Sequence, residues 1–194
     1  MPRFKIYTTL KEFEALKEPA QKSGMDIKFE AVSAENVNAP DNTYDVITAC
    51  QCFWYFDHKI VMPELKRMLK PDGRLLLLYM AWLPFEDEIT GKSEEIILKH
   101  NPDWSSSGET RKPMYVPDEY NEFFDITYRE EFDVRIPFTR ESWHGRMRAC
   151  RGVAAAMSEE TLALWDKEHR KMLEGYPESF EILHYIAMAE LTLK

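Results

Sequence analysis

The side chains with chemistry to offer fall in two stretches. The first is Cys50-Gln51-Cys52-Phe53-Trp54-Tyr55-Phe56, where a short apolar run ends in a dense aromatic segment. Ring faces attract cations, and aromatics just beyond a strand either line a cleft or pack under the next helix. Trp54 and Tyr55 admit both readings, and Tyr79 and Trp82, at the end of a second apolar run, make the same claim more weakly. The second stretch is ESWHGRMRACRG, residues 141–152. Trp143, Met147, Cys150, Ala154 and Met157 recur there at steps of three or four and are expected to face the core. Arg140, His144, Arg148 and Arg151 form a basic stripe beside them, which either holds a carboxylate or phosphate or pairs with surrounding glutamates. His144 titrates near neutrality and is the candidate general base.

Other chemistries have no motif to support them. The five histidines are scattered, and no HExxH, CxxC or GxSxG occurs. Cys50 and Cys52 have the spacing of one strand face, which suits packing better than zinc. The net charge of −9 disfavours non-specific binding to nucleic acid or to an anionic membrane surface, so a small-molecule or protein partner is expected. Three cysteines and no secretory signal read as reduced core thiols in a cytoplasmic protein. No apolar run approaches membrane-spanning length.

The elements that must position these residues follow from the apolar pattern. Val46, Ile47 and Ala49 read as a strand buried on both faces. Asp57 can cap a helix whose positions Ile60, Val61, Leu65, Met68 and Leu69 recur at helical spacing, until Lys70-Pro71-Asp72-Gly73 turns the chain into a wholly apolar strand at residues 75–80. Two buried strands joined by a helix make a crossover unit of an open α/β sheet, whose ligands lie beyond the carboxyl ends of the strands. Before this unit, residues 4–10 read as a strand, 10–23 as a helix and 26–32 as a strand. After it come a helix at 87–100, a polar loop at 101–113 and a short helix opening at Pro117. A half-buried strand at 131–139, helices at 140–152 and 158–173, and a last strand at 182–194 complete the chain. One domain is expected over 1–194, with insertions at 85–130 and 140–182 acting as a lid or substrate cap.

The run DVITACQCFWYFD followed by LKPDGRLLLLYM resembles the middle of a class I S-adenosylmethionine-dependent methyltransferase of the small-molecule type. The resemblance implies a Rossmann-like, mostly parallel sheet with an antiparallel last strand. It makes residues 44–50 and 75–80 the fourth and fifth strands and the earlier ones the second and third. Asp72 replaces a glycine of the family's turn. The family's first strand and glycine-rich loop should precede Phe4, and none of the seven glycines forms a GxG. Thr8 and Thr9 stand where the family places an acidic residue. Within the resemblance, Ser33, Ala34 and Glu35 would hold the adenine end of S-adenosylmethionine, with a solvated Glu35 as the plainer alternative. Cys50, Gln51, Trp54 and Tyr55 would hold the methionine end, the rings covering the sulfonium. Tyr79, Trp82, Trp143, His144 and Arg148 would shape the acceptor site. The expected function is methyl transfer to a small molecule. The alternative is a non-catalytic relative that has lost the cofactor and acts as a binding module or homodimer through its open strand edges.

Overall fold

A computed structural model of the chain describes residues 4–8, 22 and 27–194. The helix predicted over 10–23 lies outside the described residues apart from Lys22. Strand β1 (Phe4–Thr8) pairs in parallel with β2 (Ile27–Ala31), Phe4 opposite Ile27 and Thr8 opposite Ala31. A second sheet contains β3 (Tyr44–Cys50), β4 (Leu69–Trp82), β5 (Phe124–Thr139) and β6 (Ser179–Leu193), in the order β3-β4-β6-β5.

Backbone bonds fix the strand directions. Asn42 and Thr43 donate to the carbonyls of Arg67 and Met68, so β3 and β4 start side by side and run the same way. Leu83 donates to Leu183, and Arg74 pairs with Glu190, so β6 runs against β4. Lys194 donates to Phe123 and Arg140 to Glu178, so β6 also runs against β5. The expected mixed sheet with an antiparallel last strand is what forms.

The chain divides into two compact units, Met1–Leu77 with Val116–Tyr128 and Glu190–Lys194, and Leu78–Tyr115 with Arg129–Ala189. In the first, Asp57 caps α1 (His58–Met68) as expected, its carboxylate accepting from the Lys59 amide at 3.1 Å. Val61, Met62, Leu65 and Met68 are buried, but Ile60 is 48% exposed. One residue is about 100° of helix, so Ile60 falls off the stripe that 61, 65 and 68 define. Burial of β3 on both faces is likewise corrected: Ala49 is buried while Val46 is 48% exposed. Among the described residues β3 ends its sheet and has a neighbour on one side only. The tight bend predicted at 70–73 is kept within the first residues of β4. A Cβ on Gly73 would lie 2.9 Å from the Lys70 carbonyl oxygen, which only glycine tolerates.

In the second unit, α2 (Glu88–His100) is capped by Asp87, which accepts from Thr90 at 3.2 Å and with its other oxygen from the Leu183 amide at 3.0 Å. Strand β5 begins at Phe124, seven residues before the predicted start. It passes directly into α3 (Arg140–Arg148) through a capping box in which Thr139 and Ser142 satisfy each other's amides. Helix α3 ends before the predicted Gly152. Ser158 caps α4 (Glu159–Leu173), accepting from Thr161. No helix among the described residues is long and apolar enough to cross a membrane.

Gly145 sits inside α3, and a Cβ there would meet nothing within 4 Å. Gly145→Ala is therefore expected to stabilise the protein by about 0.5–1 kcal/mol, read as a rise in the denaturant midpoint at unchanged slope.

Candidate functional site

In the first unit the two stretches assigned to a cofactor meet. Ser33 precedes a short 3-10 turn at Ala34–Asn36, held by Asn36 donating through its backbone to the Ser33 carbonyl and through its side chain to the Ser33 hydroxyl at 2.8 Å. Glu35 reaches across 22 residues to accept the Asp57 amide at 3.1 Å, at the start of α1. Its own amide, that of Asp57 and the Ser33 hydroxyl together hold its carboxyl below the usual range, so it is ionised at neutral pH. Helix α1 thus opens beside a carboxylate, as its dipole favours.

Beyond β3 the backbone is strained. Gln51 has a φ of 59°, a left-handed conformation uncommon outside glycine and asparagine. This breaks the alternation that would have set Cys50 and Cys52 on one face: Cys50 is exposed and Cys52 half-buried, its thiol pushed up by burial. The expectation of three core cysteines is corrected for Cys50. Of the four aromatics that follow, Phe53 is the buried anchor, with its ring 5.4 Å from Tyr120 and 4.7 Å from the His58 imidazole. His58 and the Tyr120 hydroxyl bond at 3.1 Å behind it. Trp54 and Tyr55 remain 40% and 68% exposed, so neither is a core aromatic under α1.

The residues expected to shape an acceptor site lie in the second unit and take separate partners. Tyr79 donates to Glu109 at 3.0 Å, and Trp82 donates to Glu94 at 2.6 Å. Glu94 also accepts the Gly108 amide, and burial raises its carboxyl. Trp143 and His144 are closed off from solvent. Trp143 donates to the Ser93 hydroxyl at 3.1 Å. The basic stripe is committed to helix–helix ties: Arg140 binds the Tyr176 and Glu174 carbonyls, and Arg148 binds Asp166 at 3.1 Å.

Sequence reasoning missed a buried polar chain behind that stripe. His144 Nε2 meets Asp166 at 3.1 Å, its Nδ1 meets His169 Nδ1 at 2.9 Å, and His169 Nε2 meets the Ser93 hydroxyl at 3.1 Å. Trp165 stacks on both imidazoles. Burial lowers both histidines, His169 to about 3, so both are neutral near pH 7. The available signal was the spacing Asp166–His169 on one face of α4, one turn apart.

The profile of a methyltransferase domain matches residues 6–77. That stretch, a little over a third of the chain, is similar to the methyltransferase domain family. Its members use S-adenosylmethionine, and the matched segment contains the whole 33–55 stretch. No curated protein matches the chain. Among solved structures, a protein described as a methyltransferase from Bacillus halodurans is similar at 14% identity and a TM-score of 0.51, over 98% of this chain and 82% of that one. The YcgJ protein of Bacillus subtilis is similar at 19% identity and a TM-score of 0.46, over 98% and 82%. A protein described as a sarcosine dimethylglycine methyltransferase from Galdieria sulphuraria is similar at 18% and 0.48, over 96% and 68%. The Bacillus halodurans likeness establishes the methyltransferase fold.

Proposed function

We propose that this chain is an S-adenosylmethionine-dependent methyltransferase acting on a small molecule. The hydrogen bond from Asp57 to Glu35 carries the reading, because it gathers the 33–35 turn and the 50–56 segment around the start of α1. The donor set suits the cofactor. An ionised carboxylate and the neighbouring amides can meet its polar end, and two exposed ring faces can meet a sulfonium. When bound, S-adenosylmethionine supplies an electrophilic methyl group. Ser33, Ala34 and Glu35 bind its adenine end, while Cys50, Gln51, Trp54 and Tyr55 orient its methionine end. The left-handed Gln51 lies where strain is often held in reserve for ligand contact. Tyr79, Trp82, Trp143, His144 and Arg148, all in the second unit, would shape the acceptor site.

Titration calorimetry with millimolar S-adenosylmethionine tests this. The wild type is expected to release heat on saturation. Glu35→Gln, and Trp54→Ala combined with Tyr55→Ala, are each expected to weaken binding tenfold or more, about 1.4 kcal/mol. Absence of heat and of any thermal shift with the wild type would overturn the reading.

A further inference from the structure

Arg146 was assigned to neither the core nor the basic stripe, yet its setting is the more unusual. Its guanidinium lies 5.0 Å from the centre of the Trp82 ring. That indole donates its N–H to the buried Glu94 carboxylate at 2.6 Å, which pushes electron density onto the ring face and strengthens it as a platform for a cation. The fork is further steadied by donating to the Cys150 sulfur at 3.8 Å. Burial pushes the Cys150 thiol up, so the sulfur is neutral and does not itself form an ion pair with the arginine. Arg111, Arg148 and Arg170 each hold a carboxylate, whereas no carboxylate among the described residues lies within ion-pair distance of Arg146. A half-buried, stacked guanidinium with no acid partner is preorganised for a planar oxyanion. Beside it, Gly145 opens onto free space.

We propose that Arg146, seated on Trp82, binds the carboxylate of a small organic acid, and that this acid is the methyl acceptor. The second clause rests on the function proposed above; the binding site itself does not. The ligand's charge pairs with the guanidinium fork, and its apolar body lies along the exposed part of the indole.

The test is a titration with sodium benzoate, sodium phosphate and sodium chloride at matched ionic strength. It is followed by thermal shift and by the Arg146 Nε–H resonance in the wild type, a readout that needs no variant. Benzoate is expected to raise the melting temperature above the chloride control and to move that resonance. Arg146→Gln should weaken the apparent affinity tenfold or more, and Arg111→Gln, whose charge is already committed to Glu86 and Asp133, should not. An unmoved resonance, an equal response from Arg146→Gln, or a response to phosphate alone would overturn the proposal. Titration with S-adenosylmethionine on the same samples separates the two readings: benzoate binding without cofactor binding keeps the site and removes the methyl-acceptor role.

Discussion

His169→Phe is expected to destabilise the protein by about 1–3 kcal/mol, because it leaves the buried His144 ring without its partner. Trp143 donates to Ser93, which itself donates to the Ile89 carbonyl at 2.7 Å; Ser93 meets His169 Nε2, His169 Nδ1 meets His144 Nδ1, and His144 Nε2 meets Asp166. Removing the middle ring leaves His144 Nδ1 unpaired, while the Ser93 hydroxyl keeps Trp143 and the Ile89 carbonyl. Trp165→Phe is the contrast: its indole N–H has no partner among the described residues, so its loss breaks no hydrogen bond and costs only the packing of the smaller ring.

The same chain dictates an acid response. His169 is held down at about 3 by burial, then by His144 and Arg170. His144 is also lowered, chiefly by burial and Arg170, with Asp166 and Glu141 opposing. An unfolded histidine binds its proton near pH 6.5. Between that pH and about 3 the unfolded state carries the extra proton, so stability is intact above 6.5 and declines as the pH falls. In denaturant melts near pH 5, His169→Phe should flatten this slope by up to about 1.4 kcal/mol per pH unit, the value for one proton. An unchanged slope would mean that His169 is already protonated in the fold.

Phe53→Ala carries the second large expectation, a loss of about 3–5 kcal/mol for emptying a fully buried ring site. Phe53 touches Trp54, Phe56, His58 and Tyr120 edge-on or tilted, with centroids 4.7–6.5 Å away, so its removal also frees the segment that bears Trp54 and Tyr55. Trp54→Ala, at a partly exposed position, should cost far less stability while weakening the proposed cofactor binding. If Phe53→Ala costs under about 1 kcal/mol in chemical denaturation, the aromatic segment is not anchored in this way.

Features written in short-range chemistry were readable from the chain. Asp57, Asp87 and Ser158 announce three helix starts, and the structure has each accepting a backbone amide from the first turn. The Lys70-Pro71-Asp72-Gly73 bend was legible because the glycine leaves no choice. Features decided by who lies opposite were not. Val46 and Ile60 are apolar, but whether each is covered depends on neighbouring elements and not on its own periodicity. Arg148 looked available until Asp166, eighteen residues on, met it. His144 and His169 look like isolated surface groups until α3 and α4 bring their rings within 2.9 Å. The 33–35 turn and the 50–56 segment were each placed from the family pattern, but the Glu35–Asp57 link between them was not foreseen.

The junction of β5 with α3 has no intervening linker: Thr139 ends the strand and caps the helix in the same residue. A joint of that kind has no slack in which dihedral angles could change, so α3 cannot swing about its entry point as a lid would. Any closing movement that Arg146 takes part in must therefore carry the end of β5 along with it.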